Sequence, residues 1–263
     1  MKRQYYLFGA LVAGFLLTAC GAAQPEPSLT PTFAFTSTAQ LTIAPTKTSA
    51  PSPTAVPRSP VCSPLADHAL TDLRKYMTQP FLPPQGENKE TGHHGVDFAY
   101  YHRDGVGGNI MGTPIQSVLN GYMAGLGYNS VYGNYLIIET PVEFLPPDLA
   151  ALYPIENGES IYLLYAHMEN LAPFEIHEPL DCGQVVGRVG GTGDPYFVSD
   201  PHLHFETRVG PAGIFIEPMS FYDVQASEEE RAEYMKWRTS DTFRLYDPML
   251  LLDFGAQHEE VNG

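Results

Sequence analysis

Ile161-Tyr162-Leu163-Leu164-Tyr165, running on into Ala166-His167, is an unbroken apolar stretch with two tyrosines and a branched aliphatic start. It is too short for a self-burying helix and has the aromatic and β-branched content of a strand. Working outward, the same signature recurs at Tyr135-Leu136-Ile137-Ile138, at Pro114-Ile115-Gln116-Ser117-Val118 and at Gly183-Gln184-Val185-Val186. Glycine, asparagine or proline bounds each run, so the pattern predicts antiparallel strands joined by turns. The expected fold is therefore mostly β, an antiparallel, sandwich-like domain whose loops form a groove, with short flanking helices. One helix is predicted from Ser63-Pro64 to about Met77, with Ser63 as N-cap and Pro64 in the first helical position. A second is predicted from the capping box Ser227-x-x-Glu230 to about Arg238. Residues 141–158 are Pro-rich and read as a surface loop beside the groove.

Charge narrows the possible partners. Lys and Arg number 14 against 30 Asp and Glu, a formal net charge of −16 in 263 residues. Such a surface repels a phosphate backbone, which argues against nucleic acid, and it offers no basic patch to grip a membrane. The N-terminus supplies another means of attachment. Lys2 and Arg3 precede an apolar stretch from Tyr5 to Leu17, and Leu17-Thr18-Ala19-Cys20 resembles a lipobox. Residues 1–19 thus read as a lipoprotein signal peptide, with Cys20 as the acylated first residue of an exported, extracytoplasmic protein held to the membrane. Residues 20–60 are rich in Pro, Thr and Ser and nearly uncharged, the composition of a disordered tether. Stretched as polyproline, that tether would reach roughly 120 Å, and as a coil about 35 Å. Cys62 and Cys182 remain, an even pair that export favours as a disulfide.

Three short fragments carry the chemistry: His93-His94-Gly95-Val96-Asp97, Tyr165-Ala166-His167 and His202-Leu203-His204-Phe205-Glu206. Each alone is a weak signal. Together they form a plausible metal site. On a strand, His202 and His204 point to one face while Leu203 packs on the other. Gly95 permits a turn through which His93 and Asp97 reach one ion. Two imidazoles and a carboxylate fill three of the four positions zinc prefers, which is the pattern of a catalytic rather than a structural site. Further histidines nearby would handle proton transfer and a developing oxyanion. Glu206 lies on the histidines' face, placed either to hydrogen-bond one of them or to form a salt bridge.

Taken in order, these fragments and their spacers resemble a known family. His93-x-Gly95-x-Asp97 is followed by Gly112-x-Pro114-Ile115, Tyr132-Gly133-Asn134 and Tyr165-Ala166-His167. Gly183-Gln184-x-x-Gly187, Gly190-x-Thr192-Gly193 and Pro201-His202-Leu203-His204-Phe205-Glu206 complete the set. The series is similar to the lysostaphin/LytM zinc metallopeptidases, endopeptidases of bacterial peptidoglycan with an antiparallel β domain called the duplicated hybrid motif. The resemblance implies one Zn2+ per chain held by His93, Asp97 and His204, with His167 and His202 as uncoordinated catalytic residues. It implies hydrolysis of stem or cross-bridge peptides by a metal-activated water, in a monomeric enzyme. His94 falls at the variable position of the motif and receives no ligand role. Residues 99–110, 141–158 and 194–200 depart from the family pattern as insertions. Two alternatives remain: a non-catalytic relative that binds and regulates another wall hydrolase, and a peptidase of ordinary proteins. The implied organisation is a helical lead-in over 61–84, the metallopeptidase domain over 85–225 and a helical extension over 226–263.

Overall fold

The computed structural model describes residues 60–86, 89–99, 110–171, 173–196 and 198–262. The expected signal peptide 1–19, the expected acylation site Cys20, the expected tether before residue 60 and nearly all of the expected insertion 99–110 lie outside them. In chain order the helices are α1 (Leu73–Tyr76), α2 (Pro147–Ala150), α3 (Glu228–Arg238) and α4 (Met249–Asn262). The first strands are β1 (Met77–Gln79), β2 (Val96–Phe98), β3 (Pro114–Gln116), β4 (Gly121–Asn129) and β5 (Gly133–Pro141). They are followed by β6 (Glu159–Met168), β7 (Pro179–Leu180), β8 (Val185–Arg188), β9 (Leu203–Pro211) and β10 (Arg244–Tyr246).

All strand pairs are antiparallel. The large sheet has eight strands in the order β1-β2-β9-β6-β5-β4-β7, with β10 added to β9, while β3 and β8 form a separate two-stranded ribbon. Both faces of the large sheet are buried, which is why its strands read as continuous apolar runs rather than as an alternation. Ile161, Leu163 and Tyr165 join Leu203 and Phe205 in one core, with Ile115 and Val186 from the ribbon and Leu251 and Leu252 from α4. Tyr162, Leu164 and Ala166 enter a second core, covered by Tyr234 and Trp237 of α3 and by Phe243. Burying each such side chain contributes about 1.5–3 kcal/mol, so the sheet is held from both sides.

The helical lead-in predicted over 61–84 is mostly not helical. The segment from Cys62 to Ala66 runs extended beside β3, exchanging backbone hydrogen bonds such as Gln116 N–H to Pro64 O at 2.9 Å and Ala66 N–H to Pro114 O at 3.0 Å. Ser63 does not cap a helix: its hydroxyl accepts from Leu65 N–H in a local turn. Asp67 then adopts a φ of 62°, and helical structure is confined to a 3-10 turn at Leu70–Asp72 and to α1. Backbone groups already paired to a neighbouring strand cannot also make helical bonds. Cys62 and Cys182 are joined by a disulfide with a Cα–Cα distance of 5.7 Å, which fastens this extended segment to the turn before β8.

Two further expectations change. The C-terminal extension opens with the capping box at Ser227, where Ser227 Oγ accepts from Glu230 N–H at 3.1 Å and Glu230 Oε2 from Ser227 N–H at 2.7 Å. The extension is not only helical, however, because β10 lengthens the edge of β9 beyond β2. Residues 141–158 do not flank the groove. They leave from the Pro141–Ser160 end of the β5–β6 pair, about 23 Å along β6 from His167. There they bury Leu145, Leu149 and Tyr153 in the core instead of lying over it.

Candidate metal centre and active site

The register of two strands builds the first half of the site. Asp97 on β2 lies directly opposite His204 on β9, and directly opposed residues on antiparallel strands share a face. His93 arrives from the loop before β2, fixed where its backbone exchanges two hydrogen bonds with Leu82. His204 Nδ1 stands 2.8 Å from Asp97 Oδ1 and 3.1 Å from His93 Nε2, and His93 Nε2 is 3.1 Å from Asp97 Oδ1. A tetrahedral ion with bonds of about 2.0–2.1 Å places its ligands roughly 3.3 Å apart, so this triangle has nearly the size zinc needs. Tautomers follow from the outer contacts: His93 Nδ1 donates to Pro80 O at 2.8 Å and His204 Nε2 to Glu206 Oε1 at 3.1 Å. With a metal in place of the protons shared with Asp97, each imidazole would thereby turn a lone pair to the centre.

Gly95 acts differently from the turn-maker expected. Its φ is not positive; a Cβ there would lie 2.4 Å from Phe205 O and 2.8 Å from His204 Cε1. The glycine leaves room for the His204 ring. Electrostatics also favour a cation at this point. Burial opposes ionisation of Asp97, yet hydrogen bonds from His204 and His93 hold its carboxyl well below the usual range. Burial likewise disfavours the charged form of His204, but Asp97 and Glu206 overcome it and raise the imidazole to about 9. A buried place that holds a proton so firmly is a place for a positive ion.

The other half of the site is two neutral imidazoles. His167, near the end of β6, has a φ of 60°, sparsely populated for a residue with a side chain. Its backbone is held on both sides, N–H to Tyr132 O at 2.8 Å and C=O from Gly190 N–H at 3.0 Å. Its Nδ1 donates to Thr192 O at 3.0 Å, and His202 Nδ1 donates to Asp200 O at 2.7 Å. In each ring Nε2 is then the accepting nitrogen. The two rings lie 4.4 Å apart, and His202 Nε2 is 3.7 Å from Asp97 Oδ2. Burial first, then the neighbouring imidazoles, pushes His167 well below its ordinary value; burial lowers His202 as well. Both are therefore poised as proton acceptors beside the triangle of ligands, in one cleft lined also by Gln79, Val131, Tyr132 and Arg238.

Behind the ligands lies a polar layer that the sequence reading touched only at Glu206. Both readings of that residue hold: it accepts from His204 and pairs with Arg208, and Tyr132 OH donates to it at 2.7 Å. Arg238 Nη1 in turn donates to Tyr132 OH at 3.0 Å. His94, assigned no ligand role, is buried; burial and then the nearby Arg238 lower its pKa to about 3, so it stays neutral. A signal was present in the sequence. His204, Glu206 and Arg208 place polar groups on one face of a strand whose other face carries Leu203, Phe205, Thr207 and Val209, all but Thr207 in the core. Sequence alone could not name their partners.

No family model matches this chain, and no curated protein does. Among solved structures it is similar to the catalytic domain of the antimicrobial peptidase lysostaphin from Staphylococcus simulans, at 20% identity and a TM-score of 0.40, over 71% of this chain and 99% of that one. A mutant catalytic domain of a prophage-encoded M23 protein from Enterococcus faecalis matches at 20% identity and a TM-score of 0.35, over 52% of this chain and 81% of that one. Its structural neighbours are M23 peptidase domains of the lysostaphin/LytM kind. A zinc-containing peptidase from Vibrio cholerae matches at 23% identity and a TM-score of 0.34, over 50% of this chain and only 32% of its own length. Identities and scores this low carry nothing about activity, which has to be read from the site.

Proposed function

We propose that this chain is a lysostaphin/LytM-type zinc metalloendopeptidase that hydrolyses peptide cross-links of bacterial peptidoglycan. The observation that carries the reading is one cleft holding both a ligand triangle, His93, Asp97 and His204, and two neutral imidazoles, His167 and His202. A regulator that only binds would need neither half complete. Zinc, when bound by that triangle, supplies a Lewis acid that polarises the scissile carbonyl and lowers the pKa of water. His167 and His202 supply the proton traffic. One imidazole takes the proton from the attacking water as its oxygen bonds to the carbonyl carbon. The proton then passes to the amide nitrogen as the C–N bond breaks, leaving a carboxylate and an amine. Holding both Nδ1–H groups on backbone carbonyls fixes the rings for that exchange without charging them.

In the same reading, acylation at Cys20 anchors the enzyme outside the cytoplasm, and the Pro/Thr/Ser-rich segment lets it reach the wall. The test is digestion of purified wall fragments by the zinc-loaded protein, with the products resolved by mass spectrometry. Chelator-sensitive release of peptides cut within stems or cross-bridges is expected. Zinc bound with no cut peptide would leave the regulatory reading, and cleavage of casein alone would leave a general peptidase.

A further inference from the structure

Arg208 lies four residues beyond His204 on the same strand and is almost wholly buried. Its guanidinium makes contacts in three directions. Nε donates to Glu206 Oε2 at 2.8 Å, and Glu206 Oε1 accepts from the metal-site His204. Nη2 lies 3.0 Å from His94 Nδ1, and His94 is the chain neighbour of His93. Nη1 donates to Trp237 O at 2.7 Å, near the end of α3 in the C-terminal extension. His94 Nε2, bonded to Thr91 O at 3.2 Å, carries that ring's proton and leaves Nδ1 to accept.

We propose that Arg208 is a positioning residue that ties the two ligand-bearing segments of the metal centre to one another and to the C-terminal extension. On one side it orients His204 through Glu206; on the other it holds the loop of His93 through His94. The task suits arginine, whose rigid planar fork serves several acceptors at fixed angles, whereas lysine offers one mobile point charge. It also gives the C-terminal extension a place in the chemistry, since the third arm of the fork rests on its backbone.

This inference rests on the zinc reading above, and metal binding separates the two. Zinc affinity of the full chain would be measured by chelator competition, beside the visible spectrum of the cobalt-substituted protein, which reports ligand geometry. Fold would be followed by circular dichroism, and Arg244→Lys, which removes the two-pronged grip of a remote ion pair with Glu159, serves as control. Arg208→Lys and His94→Leu are expected to weaken zinc binding about 10–100-fold and to alter the cobalt spectrum. His94→Gln, which keeps an acceptor and a donor, should stay within about threefold of the parent. Parent-like affinity and spectrum in Arg208→Lys and His94→Leu would overturn the proposal. So would an equal loss in His94→Gln and His94→Leu, because side-chain volume rather than hydrogen bonding would then be the cause. If Arg208→Lys does not fold, the His94 pair decides alone. A parent that binds no zinc would sink the functional reading instead.

Discussion

The two faces of the large sheet are buried to a similar degree by unlike means. One face meets the β3–β8 ribbon and α4 through aliphatic side chains such as Ile115, Leu163, Leu203 and Leu252. The other meets α3 and Phe243 through aromatic rings, and along β9 that packing gives way to His204, Glu206 and Arg208. The apolar face needs only volume and shape. The polar face is stable because its charged groups find partners: Glu206 has His204, Tyr132 and Arg208, and Arg208 has two backbone carbonyls besides. A buried charge without such partners would cost several kcal/mol. Stability and chemistry are thus divided between the faces of one sheet, and substitutions should separate them.

The largest effects belong to the cleft. Asp97→Ala and His204→Ala should lose zinc and activity together, by more than the ~10–100-fold expected of an outer partner. His167→Ala and His202→Ala should keep zinc near one per chain while turnover falls about 10²–10⁴-fold. Metal analysis beside a defined muropeptide assay gives both readouts, and zinc lost from His167→Ala but kept in His93→Ala would demand another ligand set.

The disulfide comes next, on the aliphatic side. Cys62 and Cys182 are 120 residues apart in sequence, so in the chain-entropy model the bridge contributes about 4–5 kcal/mol. A Cys62→Ala/Cys182→Ala protein should melt at a clearly lower temperature yet, while folded, bind zinc as the parent does. Weakened zinc binding in that variant would mean the faces are not independent.

A matched pair of core truncations sharpens the contrast. Leu163→Ala should cost about 2–5 kcal/mol and Trp237→Ala about 3–5 kcal/mol in denaturant unfolding. Only the second should also weaken zinc, because the Trp237 ring lies 4.9 Å beneath the Arg208 guanidinium. Equal effects on zinc would dissolve the distinction.

The smallest effect lies at the far end of the sheet. Glu159 pairs with Arg244, whose hydrogen bonds lower the carboxyl to about 2. A pKa depressed on folding adds stability above the unfolded value of about 4.3, and that stability disappears as pH falls toward 2. Glu159→Gln should therefore flatten the acid limb of a stability–pH curve in that window and leave metal binding at neutral pH unchanged. A full acid limb in the variant would place the titration elsewhere.

What could be read from the chain was local or ordered along it. Apolar runs ending in glycine announce antiparallel strands because strand pleating and turn chemistry act over a few residues. His202 and His204 do line one cleft as their spacing announced, although β9 begins only at Leu203 and His202 stands just before it. The Ser227–Glu230 box announces a helix because its two hydrogen bonds close within four residues. What only the tertiary structure decided spans the chain. The extended path of 62–66 depends on an already folded β3, and β10 has a place only once β9 has an edge to lengthen. The room Gly95 leaves is defined by a ring from β9, and the strained backbone of His167 is held by Tyr132 and Gly190. Arg208 reaches His94 across 114 positions and the Trp237 carbonyl across 29. Local residue chemistry offers the donors, but which donor meets which acceptor is set by strand register and packing, and those exist only when the whole sheet is closed.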